Sequence, residues 1–250
     1  MTGRTQARSL AAALIIFSAV SVVLRLAFLP LDANGVPATL TSPFLMFSED
    51  LQDTIHSLLT IPLGIIALVF VRQFIGLPTI GTFMPVLIGV SFRDTGVLYG
   101  LPLFILIVGI GMIFRFYFER LKLLLVPRLA AILIVVVIAM LGAAFLFTKL
   151  GLNIGQSVSL FPIVIMAMSI ERMVMSWEEN GAKETLLHSA GSVFVAVISY
   201  FIMTAPFAED VMFLFPELLL VMLALAIMMG RYIGFRLTEY YRFRDVGRAI

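Results

Sequence analysis

Residues 129–147 read LAAILIVVVIAMLGAAFLF, a run without a single charged side chain. A helix needs about 20 mostly apolar residues to cross a hydrocarbon layer about 30 Å thick. Backbone N–H and C=O groups in lipid must pair within their own segment, so this run is expected to be helical. The sequence predicts an all-α integral membrane protein, a bundle of about eight transmembrane helices. The predicted spans are Leu10–Leu29, Ile55–Phe74, Leu77–Thr95, Val97–Phe118, Leu129–Phe147, Ile154–Met173, Leu186–Thr204 and Phe215–Phe235.

The composition agrees with this class and excludes several others. Of 250 residues, 61% are hydrophobic and 13% charged, which an ordinary soluble domain does not show. The absence of cysteine excludes disulfides, thiolate metal sites and cysteine nucleophiles. A net charge of +2 over so much apolar sequence does not indicate a nucleic-acid partner. We expect no cofactor and no metal, because the only histidines, His56 and His188, are predicted near opposite faces of the membrane.

One span, Leu77–Thr95, contains Pro78, Gly81, Pro85 and Gly89 and could instead be a re-entrant hairpin. The positions of Lys and Arg favour a crossing, because cytoplasmic loops carry an excess of both. If the span crosses, fourteen of the seventeen Lys and Arg residues lie on the cytoplasmic side. If it is a hairpin, the best split is 12 on one side and 5 on the other. Both termini are then cytoplasmic. The inside set is Arg4, Arg8, Arg72, Arg115, Arg120, Lys122, Arg128, Arg172, Lys183, Arg231, Arg236, Arg242, Arg244 and Arg248.

Two parts are predicted along the chain. Residues 1–50 comprise an N-terminal anchor helix and a short periplasmic loop, because the first apolar run exceeds the usual signal-peptide core of about 7–15 residues and no A-x-A site follows it. Residues 51–250 form a seven-helix transmembrane domain with a basic cytoplasmic tail. Kinks are expected at Pro85, Pro127 and Pro162.

Four polar residues near the span ends are candidates for a pathway through the bundle, since ionisable groups in a membrane are costly. Glu171 and Arg172 are adjacent, and a structural ion pair is the favoured interpretation. Glu217 follows Pro216 at the start of the last helix, where a carboxylate can cap free N–H groups. Arg231 lies at the opposite end of that helix, where a cation complements the helix dipole.

Acidic residues in the segment 177–184 invite comparison with intramembrane metalloproteases, which hold a metal with glutamates and histidines. The two histidines cannot share one metal with this segment, so a solvated turn closed by Gly181 is the better interpretation. Replacing Glu178 and Glu179 together is predicted to have no catalytic consequence. No metal site and no catalytic residue is predicted, and intramembrane hydrolysis is the least favoured function.

The predicted cytoplasmic face is basic in the connection after the fourth span and again in the tail. Such residues bind anionic lipid headgroups, each contributing about 1 kcal/mol near an anionic surface, or dock an acidic protein. Membrane anchoring is the simpler interpretation for any single residue. The candidates are Arg115, Arg120, Lys122, Arg128, Arg236, Arg242 and Arg244.

Several runs resemble the bacterial seven-transmembrane domain that is usually fused to an inactive transglutaminase-like domain. They are distributed from the second span to the tail, and the count of seven spans after the first anchor agrees. They are Gly76–Leu87 (GLPTIGTFMPVL), Arg115–Leu129 (RFYFERLKLLLVPRL), Leu160–Ile165 (LFPIVI), Ser169–Met173 (SIERM), Phe215–Leu220 (FPELLL) and Gly230–Tyr232 (GRY).

The resemblance implies a place in a bacterial inner membrane and an association with a cytoplasmic ATP-grasp ligase resembling glutamate ligases. The periplasmic domain of the family would emerge at 30–53, so the resemblance implies a naturally minimal member or one from which the domain was excised. Glu171, Arg172, Glu217 and Arg231 fall within its motifs, as does a kinked helix entry. That entry comprises Gly76, Pro78, Gly81 and Pro85.

Two functions are predicted from these features. The first is a non-catalytic membrane platform of a peptide-modifying system, which docks the ligase through its basic face. The alternative is a conduit or flippase for a peptide or lipid-linked product.

Overall fold

The computed structural model describes residues 2–28, 44, 47–149, 151 and 160–231, and every regular element in these ranges is a helix. Five helices are long and apolar enough to cross a membrane, and α7 with α8, which meet at 110°, would form a sixth span if they are counted together. The all-α membrane fold is confirmed, whereas the number of crossings and their orientation remain predictions. The helices are α1 Thr2–Phe28, α2 Glu49–Phe70, α3 Met84–Thr95, α4 Val97–Arg120, α5 Leu125–Lys149, α6 Leu160–Met203, α7 Pro206–Leu214 and α8 Leu218–Met229.

Helix α6 is a helical hairpin. Its 44 residues would measure about 66 Å if straight, twice the hydrocarbon thickness. Gly181 interrupts it with φ 80° and ψ 174°. The hydroxyls of Ser176 and Thr185 lie 3.2 Å apart, although nine residues of straight helix would separate them by about 14 Å. The chain therefore reverses at Gly181, which confirms the predicted turn and gives two arms, 160–180 and 182–203.

The predicted span Leu77–Thr95 is only partly helical. A π-helical turn, Val71–Ile75, continues α2 and ends at Gly76, whose φ of 83° requires a left-handed backbone that glycine adopts without strain. Residues 77–83 are not helical, and α3 then supplies 12 residues, about 18 Å. The kinked helix predicted here is therefore an irregular segment followed by a short helix.

The expected kinks at Pro85, Pro127 and Pro162 are wrong. Each proline lies within the first three residues of its helix, namely α3, α5 and α6. Proline is tolerated there because the first turn has no intrahelical acceptor for the missing N–H.

The last predicted span, Phe215–Phe235, begins at a break between two helices, and its described helical part is α8. Pro206 starts the unpredicted helix α7, which ends at Leu214. The next residue, Phe215, has a non-helical backbone (φ −125°, ψ 72°) and precedes Pro216. The residue before a proline is disfavoured in the α region, so the chain must turn before α8 begins. Residues 232–235 lie outside the described part of the chain.

The helices belong to two compact units, residues 1–77 with 201–250 (the terminal unit) and residues 78–200 (the middle unit). In the terminal unit, α1 packs against α8, and α2 packs against α7 and α8. The Ser18 hydroxyl donates a 2.9 Å hydrogen bond to the Glu217 carbonyl. At the N-terminal end of α2, His56 stacks on Phe213 with 3.8 Å between ring centroids.

The middle unit contains α3, α4, α5 and most of α6 around one apolar core. Helix α5 contributes Ile132, Val136 and Met140, spaced by four residues so that they share one face. Helix α4 approaches α6 closely at Gly111, where an added Cβ would lie 2.9 Å from Ile170. Small residues allow such approaches between membrane helices, where packing replaces the hydrophobic effect as the cohesive force.

Two contacts hold the irregular segment against the second arm of α6. The Ile80 amide donates a 2.7 Å hydrogen bond to Ser192, and the Pro78 carbonyl lies against Gly191, where an added Cβ would be 2.1 Å from the oxygen. Gly191 is ten residues past the hairpin turn, or about 15 Å into the arm. Irregular backbone at that depth in a membrane must be covered by protein. This packing buries Ile80 and partly covers residues 77–79, whereas residues 81–83 are exposed.

Substitution of Gly191 by alanine tests this packing. The added methyl has no room beside the Pro78 carbonyl, so residues 78–80 must shift, at a cost of about 1–3 kcal/mol. We expect the purified Gly191→Ala protein to lose its monodisperse peak in size-exclusion chromatography several degrees below the wild type. Gly142→Ala is the control, since its added Cβ meets nothing within 4 Å. Equal thermal stability of the two variants would exclude the close approach.

Candidate functional site

The site is centred on a buried arginine. Arg115 lies on α4, five residues before its end, and its side chain is 3% exposed. Its Nη2 is 3.7 Å from Glu178 Oε1 on the first arm of α6 and 3.9 Å from Glu119 Oε2 on its own helix. A buried guanidinium requires a nearby counter-charge, because desolvation of an isolated ion is costly. Glu178 supplies it from another helix.

The same carboxylate binds a second arginine. Arg128 lies in the first turn of α5, its side chain is 12% exposed, and its Nη2 donates a hydrogen bond to Glu178 Oε1. Glu178 therefore connects α4, α5 and α6 through one oxygen atom. We call Arg115, Arg128 and Glu178 the ion cluster. Its formal charge is +1, and Glu119 lies at its exposed edge.

Two aromatic rings lie against the ion cluster. The Arg115 guanidinium carbon is 5.4 Å from the centroid of Phe116 and 5.6 Å from that of Trp177. The rings meet edge to face with centroids 5.5 Å apart. A cation near aromatic faces is stabilised by their quadrupoles, more strongly where water is excluded. The rings therefore help to keep the guanidinium away from solvent.

A groove of about 750 Å³ begins at these two rings. Its walls are α4 and both arms of the α6 hairpin, and its lining is almost entirely apolar. A smaller cavity of about 40 Å³ adjoins it and shares Phe104, Val108 and Met173 with the groove. Ser169, Ser189 and Ser192 line this cavity, which has room for one or two water molecules.

The structure corrects the predicted docking surface. Arg115 is buried and Arg128 is mostly buried, and one nitrogen of each pairs with Glu178, so neither side chain lies on the exposed surface of the connection. Arg120 and Lys122 are exposed as predicted. Arg236, Arg242 and Arg244 lie outside the described residues.

The four polar pathway candidates fall in different units. In the middle unit, Glu171 is half-buried and Arg172 exposed, and neither takes part in an ion pair with any described residue. In the terminal unit, Glu217 is the N-cap residue of α8, at the helix start where it was predicted, but its side chain makes no capping hydrogen bond. Arg231 is exposed just after α8. None of the four lines the groove or the serine cavity, and their role remains a prediction.

Sequence reasoning missed the partners of Arg115. Glu178 lies at the predicted solvated turn and is exposed like Glu179 and Asn180, but its pairing with Arg115 and Arg128 was not predicted. The predicted topology contained a signal for this pairing. Residues 115–128 and 172–183 were predicted at the same membrane face, where opposite charges on adjacent helices can pair.

Within the described ranges no cluster of three or more His, Asp or Glu side chains could hold a metal. The chemistry that the ion cluster offers is recognition of negative charge. Arginine guanidinium groups donate in a planar fork that matches carboxylate and phosphate oxygens.

Replacement of Glu178 by glutamine tests the ion cluster. The variant leaves two mostly buried guanidinium groups without their shared anion. Removal of one partner of a fully buried pair costs about 3–5 kcal/mol, and the one-third exposure of Glu178 reduces the expected loss to about 2 kcal/mol. We expect a lower thermal midpoint in detergent. Glu179→Gln is the matched control and should stay within about 0.5 kcal/mol of wild type, as exposed substitutions usually do. A Glu178→Gln protein as stable as this control would contradict the assigned role.

Comparison with known proteins gives a family assignment. Residues 38–247 match the model of a protein family described as seven transmembrane helices usually fused to an inactive transglutaminase. Helix α1 precedes the matched residues. No curated protein and no solved structure matches the chain. The match covers most of the sequence and includes every run on which the resemblance rested. The chain is a multi-pass membrane protein and belongs to this family of seven transmembrane helices usually fused to an inactive transglutaminase.

Proposed function

We propose that the protein is a non-catalytic platform in the bacterial inner membrane that docks an acidic cytoplasmic protein through the connection between α4 and α5. The observation that carries the proposal is the different exposure of four basic residues in and beside this connection. Arg115 is buried and Arg128 mostly buried, and both pair with Glu178, whereas Arg120 and Lys122 are exposed between them. The buried pair holds the connection in place, and the exposed pair is presented to a partner.

The connection is short and geometrically constrained. Helix α4 ends at Arg120 and α5 begins at Leu125, so four residues join them. Lys122 has a φ of 51°, a left-handed conformation that is uncommon outside glycine. A surface that is already ordered loses less entropy on binding than a flexible loop. The ion cluster at the base of the connection supplies this order.

The proposed partner is a cytoplasmic ATP-grasp ligase resembling glutamate ligases, with an acidic surface that faces the connection. This partner is implied by the family resemblance, and the exposed cations support its charge. The fusion of family members to an inactive transglutaminase is consistent with a platform that has no catalysis of its own.

The exposed apolar residues beside the cations suggest a second possible binding surface for the connection, the membrane itself. Leu124 and Val126 are 79% and 75% exposed, and a basic and apolar connection would also fit the membrane interface. A binding experiment must therefore separate attraction to anionic lipid from attraction to a protein.

Charge reversal at the connection tests the proposal. The full chain is placed in nanodiscs of zwitterionic lipid, and binding of the purified ligase-like protein is measured by surface plasmon resonance. Arg120→Glu with Lys122→Glu should weaken binding about tenfold, since exposed pairs contribute about 0.2–1 kcal/mol each and reversal adds repulsion.

Lys183→Glu provides the matched control for Lys122→Glu, because Lys183 is an exposed cation on the α6 turn, predicted at the same membrane face. The proposal expects Lys122→Glu to weaken binding and Lys183→Glu to leave it unchanged. Ligase binding that is insensitive to the double reversal would overturn docking through this connection. A difference seen only with anionic lipid would assign the connection to membrane anchoring instead.

A further inference from the structure

The groove on the middle unit has the dimensions of a lipid chain site. It follows α4 from Phe104 to Phe116, twelve residues or about 18 Å. One leaflet of the hydrocarbon layer is about 15 Å thick. The volume of about 750 Å³ lies within the range of about 300–1,000 Å³ that is typical of small-molecule sites. An acyl chain from a single leaflet therefore fits the length of the groove.

One end of the groove is chemically different from the rest. Phe116 and Trp177 form this end, and the Arg115 guanidinium lies against both rings. The remaining lining is apolar apart from Ser189, and includes Ile105, Val108 and Phe194. An apolar channel that ends beside a buried cation is complementary to a molecule with an apolar chain and an anionic head.

The ion cluster has more donors than its carboxylate satisfies. Arg115 Nε and Nη1 and Arg128 Nε are buried without a hydrogen-bond acceptor among the described residues. A buried donor without an acceptor costs about 1–3 kcal/mol, and more when it is charged. The missing partner must bring several oxygen atoms and a negative charge to a place at the edge of the membrane. A phosphate group meets both requirements, and arginine binds phosphate through paired hydrogen bonds.

We propose that the groove holds an acyl chain of one anionic phospholipid, whose phosphate accepts hydrogen bonds from Arg115 and Arg128. The lipid chain covers the apolar walls of α4 and the α6 hairpin, and the phosphate supplies acceptors for the buried donors of Arg115 and Arg128. A neutral hydrocarbon would leave the buried donors without acceptors. A free phosphate would not fill the groove.

Two glycines allow the groove to be filled without altering any charge. Gly109 lines the groove and Gly142 is exposed on α5, and an added Cβ at either meets no atom within 4 Å. Gly109→Phe places a ring in the groove, whereas Gly142→Phe places the same ring on another helix face. The pair keeps the test independent of whether an Arg115 variant folds.

The experiment is native mass spectrometry of the purified, delipidated full chain, titrated with dioleoyl phosphatidylglycerol or dioleoyl phosphatidylethanolamine. We expect one phosphatidylglycerol to be retained at least about fivefold more tightly than the zwitterionic lipid, from about 1 kcal/mol per basic residue. Gly142→Phe should bind like wild type, Gly109→Phe should lose the tight lipid, and Arg115→Met should abolish the preference.

Equal retention of the two lipids by the wild type would overturn the assignment of an anionic lipid, and equal retention of phosphatidylglycerol by the wild type and Arg115→Met would overturn the phosphate contact. Equal retention of phosphatidylglycerol by Gly109→Phe and Gly142→Phe would overturn the groove as the chain site. Retention of inorganic phosphate in place of lipid would show an anion site without a chain, which also contradicts the proposal.

Discussion

A guanidinium group that leaves water must keep a counter-charge, and the burial of Arg115 imposes that requirement on three helices of the middle unit. Glu178 is the only carboxylate within 4 Å of both buried arginines among the described residues. Helix α4 carries the first cation, α5 the second, and α6 the anion, so the relative positions of the three helices are restricted by one charged oxygen. Apolar packing alone would restrict them less, because an apolar helix surface gains little when contacts with leucine side chains replace contacts with lipid chains.

The parts of the fold that depend on composition were predictable. Runs such as residues 129–147 are helical because lipid offers their backbone no other partner. The hairpin at Gly181 was also predictable, since charged residues on both sides of a glycine cannot remain in hydrocarbon. The family could be recognised from short motifs, which carry more information than hydropathy.

The parts that depend on contacts between helices were not predictable from one sequence. Pro85 was expected to kink a long helix, but its effect depends on where the helix begins, and that is decided by Gly76 and the packing of Pro78 on Gly191. Glu178 was predicted in a solvated turn, and its side chain is one-third exposed, but its pairing with two arginines was not predicted. Its actual environment is set by Arg115 and Arg128, which are about 50 residues or more away in sequence. Likewise the helix before Phe215 was not predicted, and the chain breaks there because Pro216 restricts the backbone of Phe215.

The aromatic wall of the groove has an optical consequence. Trp177 is the only tryptophan in the chain, and it contacts the Arg115 guanidinium and lines the apolar groove. Indole fluorescence from this protein therefore comes from a single residue. The emission wavelength and quantum yield depend on the polarity and mobility of the groups around the Trp177 ring. The protein carries an intrinsic reporter at the junction of charge and hydrocarbon, and no label needs to be introduced to observe it.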